Sequence, residues 1–289
     1  MNKTYLTDDD SSSWTNIIEP KGKLFDLQLG ELWKYRDLIK LFVKRDFISV
    51  YKQTILGPAW HIIKPLFSTV IFTIVFGRIA GISTDGVPQF LFYMAGNVIW
   101  TFFADILQMT SGTFINNAGI FGKVYFPRMV VPVSICISKL IAFGIQFLLF
   151  VSFVGYFIYR GYPVQPNYWI FITPILLLMM GTIGISLGVI VSALTTRYRD
   201  LQVLVTFGIG LLMYATPIVY PLSAVPDKFK FLILLNPITS IVETFRFVFL
   251  GAGAFDLSYL LYSFIFGIIF LFLGVTMFNK VERTFMDTI

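Results

Sequence analysis

The 289-residue chain is 56% hydrophobic and only 13% charged, with 32 phenylalanines and a mean hydropathy of +0.78. A water-soluble domain of this length could not hide that much apolar surface. Transmembrane β-strands would alternate apolar and polar residues over about ten positions, and no such alternation appears, so the expected class is an all-α polytopic membrane protein.

In chain order, residues 1–30 are mostly polar and are expected to form a cytoplasmic N-terminal segment. No cleavable apolar stretch opens the chain, so no leader peptide is expected. Residues 31–56 form an expected amphipathic interface segment, helical over 31–54. Leu32, Tyr35, Ile39, Phe42, Val43 and Val50 share one side, while Lys34, Asp37, Lys40, Lys44, Arg45 and Lys52 share the other. Arg36 and Asp46 intrude on the apolar side and Leu41 on the polar one. At Gly57–Pro58 the helix must end, because proline cannot continue it but suits the first turn of the next. That corner is where the chain is expected to turn from lying on the membrane to crossing it, opening a transmembrane domain over 57–289. Trp60, His61 and Lys64 then sit at headgroup depth.

Six spans are predicted, at about 59–79, 90–111, 131–158, 169–193, 201–220 and 257–278, each long enough to cross a hydrocarbon core of ~30 Å. Between the last two, Pro217, Pro221, Pro226 and Pro237 divide an apolar stretch that also holds Lys228, Lys230, Glu243 and Arg246. Two short helices, about 226–235 and 238–250, dipping in from the outer side fit this pattern. Irregular backbone at membrane depth needs cover from protein or a wet cavity, which would put the region beside a pathway. A surface loop with an amphipathic helix is the alternative.

Orientation follows from the basic residues. Nine lie before the first span, from Lys3 to Lys52; Lys123, Arg128, Arg197, Arg199, Lys280 and Arg283 fall on the same side. Arg78, Arg160, Lys228, Lys230 and Arg246 fall on the other. The positive-inside rule places both termini in the cytoplasm, as six spans require. The net charge of +6 reflects this bias and gives no ground for a nucleic-acid partner.

Chemistry is scarce. The chain has no G-x-x-x-x-G-K-[ST] phosphate loop, no Cys/His ligand cluster and no G-x-S-x-G, so neither an ATP site, a metal nor a catalytic residue is expected in it. Its one cysteine, Cys136, allows no internal disulfide. Inside the spans, Asp105 and Lys139 would sit at matching depths, about 10 Å from the inner ends of their helices. They form either a structural ion pair or part of a transport path.

Several strings carry a resemblance. "IEP", "ELWKYRDL", "KRDF", "YKQTILGPAW" and "KP" precede the first span, and "TPIVYP" and "NPITSIVETFR" precede the last. Together they resemble the ABC-2-type permeases that export O-antigen or capsular polysaccharide, over a region from Ile18 to the C-terminus. Val50 and Lys64 depart from the family pattern, where Arg and Gln are expected. The resemblance implies a homodimeric permease in a bacterial inner membrane, working with two copies of a nucleotide-binding subunit that holds ATP and Mg. Its cargo would be a glycan on undecaprenyl diphosphate. It further implies ATPase coupling through Asn116, Phe121, Lys123, Tyr125, Phe126 and Arg128, with Arg36 and Arg45 of the interface helix. Pro217, Tyr220, Pro221, Asn236, Pro237, Glu243 and Arg246 would form an outer gate, and Lys52 and Lys64 are candidate lipid-headgroup contacts.

Sugar rings present C–H faces that stack on aromatic rings, so aromatic residues of the spans are candidate pathway lining: Phe67, Phe72, Phe76, Phe207 and Tyr214. Such rings also face lipid or neighbouring helices. Three other classes share much of this pattern. A membrane-embedded polyprenyl-linked sugar transferase would need Asp105, Glu243 or His61 as acid or base. A secondary transporter would use Asp105 for ion coupling. An ABC-2 exporter of teichoic acid, lipid or a drug would differ only in cargo.

Overall fold

The computed structural model describes residues 29–51 and 57–284, and every regular element among them is helical. Helices α1 (Leu29–Lys34) and α2 (Arg36–Tyr51) come first, then α3 (Trp60–Phe72), which continues as a π-helical turn through Thr73–Ile79. They are followed by α4 (Gln89–Ser111), α5 (Thr113–Phe121), α6 (Val130–Tyr159), α7 (Thr173–Thr195) and α8 (Leu201–Ala215). The order closes with α9 (Asp227–Leu234), α10 (Pro237–Leu250) and α11 (Leu257–Thr284).

Among the described residues five helices are long and apolar enough to cross a membrane: Trp60–Ile79, Gln89–Ser111, Val130–Tyr159, Tyr168–Thr195 and Leu257–Glu282. The fifth predicted span, 201–220, is shorter as a helix than expected. Helix α8 stops at Ala215, where Thr216 takes an extended conformation ahead of Pro217. Its 15 residues rise ~22 Å, so the irregular segment through Tyr220 must complete any crossing. The Pro-bounded region forms two short helices, α9 and α10, bent by 102° at Leu235–Asn236.

Helix α4 is the hub. Residues 91–100 are buried on every side, and α3, α6, α7, α8 and α10 all pack on it. Close approach of α7 depends on small residues spaced along one face. A Cβ on Gly188 would come within 2.6 Å of Thr110, and one on Gly184 within 3.0 Å of Ile106. Small-xxx-small spacing lets apolar helices reach such packing where lipid offers no hydrophobic drive. Helix α11 meets the other side of α7, with Gly274 against Val189 and Ser186.

The segment expected at the interface is helical but is interrupted at Tyr35, and it begins at Leu29. Its apolar side does not stand free: Leu32 and Phe42 are buried, and Tyr35, Leu38 and Ile39 pack with them against the start of α6. Phe42, Phe114, Phe121, Phe126 and Phe278 thus form a second core at this end of the molecule.

Candidate functional site

The outer candidates converge on one node. Asn236 caps α10, its Oδ1 accepting from the Ile238 amide, and Pro237 occupies the first helical turn, where its missing N–H is no loss. The Asn236 Nδ2 donates to Thr216 Oγ1 at 2.8 Å, tying the start of α10 to the end of α8. Pro217 and Pro221 are buried beside it, and the Tyr220 hydroxyl donates to the Tyr214 carbonyl at 3.1 Å. Glu243 and Arg246 pair at 3.1 Å with both side chains buried. Arg246 also donates to the carbonyls of Pro217 and Ile218, and Glu243 Oε2 accepts from the Ala254 amide. All seven predicted gate residues therefore belong to one region.

Beside this node lies an apolar groove of about 660 Å³ between the end of α8 and α9, lined by Leu212, Ala215, Tyr220, Phe229, Leu232 and Asn236 among others.

The aromatic candidates divide. Phe67, Phe207 and Tyr214 are more than half exposed on α3 and α8. Phe72 and Phe76 instead pack against the core, their rings 5.7 Å apart and Phe72 edge-on to Tyr93 at 6.4 Å. Helices α3 and α8 both lie on α4, so the exposed rings belong to elements sharing one support.

Asp105 and Lys139 meet, with Nζ 2.7 Å from Oδ2. The lysine is largely covered and the carboxylate only half so, at 20% and 43% side-chain exposure. Lys64 is exposed, its Nζ 5.9 Å from the centroid of the Trp60 ring. Lys52 lies outside the described residues.

At the other end, the coupling candidates fall into an exposed tip and a buried support. Asn116, Lys123 and Tyr125 are exposed on α5 and the turn after it. Phe121, Phe126 and Arg128 are buried. The Arg128 Nη1 donates to the Glu282 carbonyl at 2.9 Å, and its guanidinium lies over the rings of Phe114 and Phe121. Burial pulls the Arg128 pKa down and the Glu282 carboxylate opposes that. On α2, Arg36 lies over Trp33 and Arg45 over Phe42, Arg45 also pairing with Asp46 at 2.8 Å.

Sequence reasoning missed Phe92, Gly96 and Glu282. Gly96 had a visible signal, since glycine inside an apolar helical pattern costs about 1 kcal/mol and calls for a packing reason. The partnership of Arg128 with Glu282 spans 154 residues and left no local trace.

Comparison with known proteins bears on this arrangement. The profile of the ABC-2 type transporter family matches residues 37–250, well over half the chain. The O-antigen export system permease protein RfbA of Klebsiella pneumoniae is 29% identical over 253 residues, covering 87% of this chain and 94% of that protein. The RfbA of Myxococcus xanthus is 26% identical over 222 residues, 76% of this chain and 82% of that one. The polysialic acid transport protein KpsM of Escherichia coli is 22% identical over 251 residues, 84% of this chain and 93% of that one. With α4, the turn after α5 and the Pro-bounded helices α9 and α10 all inside the matched region, the chain belongs to the ABC-2 type transporter family.

Proposed function

We propose that this chain is the permease subunit of an exporter of lipid-linked polysaccharide, with O-antigen on undecaprenyl diphosphate as the type of cargo. The observation that carries this reading is the near full-length match to permeases named for O-antigen export. In this reading two copies assemble in the bacterial inner membrane with both termini in the cytoplasm. Two copies of a separate ATPase subunit supply the energy, and ATP and Mg reside there.

The geometry supports each role. The exposed tip Lys123–Val124–Tyr125 and the outer faces of α1 and α2 offer a cytoplasmic docking surface. Phe121, Phe126 and Arg128 stiffen it from beneath, tying it to α11 so that a push on the tip is not lost locally. Phe67, Phe207 and Tyr214 present ring faces on which sugar C–H faces slide without one fixed hydrogen-bond pattern. The Pro-bounded helices close the outer end.

The test is deletion of the gene in its host, with complementation by a tagged copy. Loss of surface carbohydrate with accumulation of its lipid-linked precursor inside, together with co-purification of a phosphate-loop ATPase, is the expected result. Normal surface carbohydrate in the deletion strain removes the reading.

A further inference from the structure

Arg246 is fully buried, yet its own helix supplies only one of its partners. Its two terminal nitrogens reach the carbonyls of Pro217 and Ile218, the latter at 2.6 Å from Nη2. These carbonyls belong to the chain just beyond the end of α8, where no helix satisfies them. A guanidinium suits the task, because its planar fork offers two donors in fixed relation, whereas an ammonium is a single point.

Helix α4 supplies the place for that fork. The guanidinium carbon lies 3.7 Å from the centroid of Phe92, so a desolvated cation rests on the negative face of a ring. One turn further on, Gly96 leaves the room: a Cβ there would come within 2.6 Å of Nη2 and 3.2 Å of the Ile218 carbonyl oxygen. Glu243 neutralises the cation and, through Ala254, also holds the turn after α10.

We propose that Phe92 and Gly96 form a seat on α4 that positions Arg246, and that the seated guanidinium latches the outer end of α8 to the α9–α10 pair. The latch is incompletely satisfied. Among the described residues the Arg246 Nε and the Tyr93 hydroxyl are both buried without a partner. Phe92 and Gly96 are positioning residues: they act on the gate through Arg246.

This inference rests on the exporter reading for its purpose, and it is tested so that the two stand or fall separately. Cys136 is replaced by serine, and Val219, nearly buried beside the latch, becomes the reporter as Val219→Cys. The permease–ATPase complex is placed in nanodiscs, where both faces meet solvent, and the labelling rate by a polar maleimide is measured. In cells, carbohydrate outside the inner membrane is measured per ATP hydrolysed by the same variant.

Gly96→Ala is expected to label at least about five-fold faster than the parent and to export less per ATP. Arg246→Lys should behave similarly. The double variant should label little faster than Arg246→Lys alone, because the closest contact at position 96, with Nη2, is gone and only the looser one with Ile218 remains. Parental labelling by Gly96→Ala, or effects that multiply in the double variant, would overturn the latch. If Gly96→Ala does not insert, Phe92→Leu replaces it, removing the ring face at similar volume; parental labelling there would also overturn the proposal. Faster labelling in a protein whose parent exports no carbohydrate would keep the latch and remove the exporter reading.

Discussion

The ammonium of Lys139 meets the carboxylate of Asp105 at 2.7 Å, joining α6 to α4 within the membrane-spanning part of the chain. Removing either partner leaves the other charge in a place where water is scarce. Asp105→Asn or Lys139→Met should each lower stability by about 1–3 kcal/mol, below the range for a fully buried pair because the carboxylate is half exposed. Exchanging the two residues should recover part of the loss, which a thermal-shift series on the purified complex reads directly. A stable Asp105→Asn complex that hydrolyses ATP but exports nothing would assign the pair to transport instead.

The turn proposed to couple to the ATPase separates two effects that its sequence merges. Lys123 and Tyr125 are exposed, whereas Arg128 is buried against Phe114, Phe121 and Glu282. Lys123→Glu with Tyr125→Ala should leave insertion intact while cutting ATPase binding or export-coupled turnover several-fold. Arg128→Ala should instead lower the melting temperature, since it removes packing and the hydrogen bond that Arg128 donates to the Glu282 carbonyl. Co-purification yield and melting temperature, measured on the same preparations, distinguish them. Equal effects on both readouts would count against this division.

Sidedness is tested with cysteines at exposed, described positions. Lys40→Cys on α2 and Ala224→Cys ahead of α9 should label from opposite faces of intact spheroplasts, the second from outside. Labelling of both from one face would remove the orientation drawn from the basic residues.

Much of this fold was legible because membrane spans declare themselves by length and apolarity. Gly57–Pro58 marked where a new helical segment begins, and the four prolines from Pro217 to Pro237 marked breaks in regular helix. The shortfall at α8 was harder to see. The apolar run continues past Ala215 through Ile218 and Val219, and hydropathy cannot distinguish a helical residue from one in a turn held by a buried arginine. Asp105 and Lys139 were paired by depth alone, since charges inside spans have few places to go. The Arg246 seat was not, because it joins residues on α4, α10 and the segment after α8 that share no periodicity. The aromatic stripe was legible only as composition. Nothing local tells Phe72, which leans on Tyr93, from Phe67, which faces outward.

That division of the rings gives the most direct functional prediction. Phe207 and Tyr214 are seven residues apart on α8, two turns along one face, and both are exposed. If they carry passing sugars, Phe207→Ala with Tyr214→Ala should slow export several-fold while leaving stability and ATP hydrolysis nearly unchanged, since neither ring packs into the core. Exchanging ring for ring, as in Phe207→Tyr, should be tolerated, because stacking asks for a face rather than a particular edge. Phe72→Ala should behave oppositely: its ring packs against Phe76 and Tyr93, so the loss should appear first in the melting temperature. A charge at position 207 should be worse than alanine, because an unpaired ion near mid-membrane costs about 2.5–3.5 kcal/mol or more. The measurement is carbohydrate outside the inner membrane, normalised to permease level and ATPase rate. Full export by Phe207→Ala/Tyr214→Ala would move the lining away from α8 and leave these rings facing lipid or a neighbouring subunit.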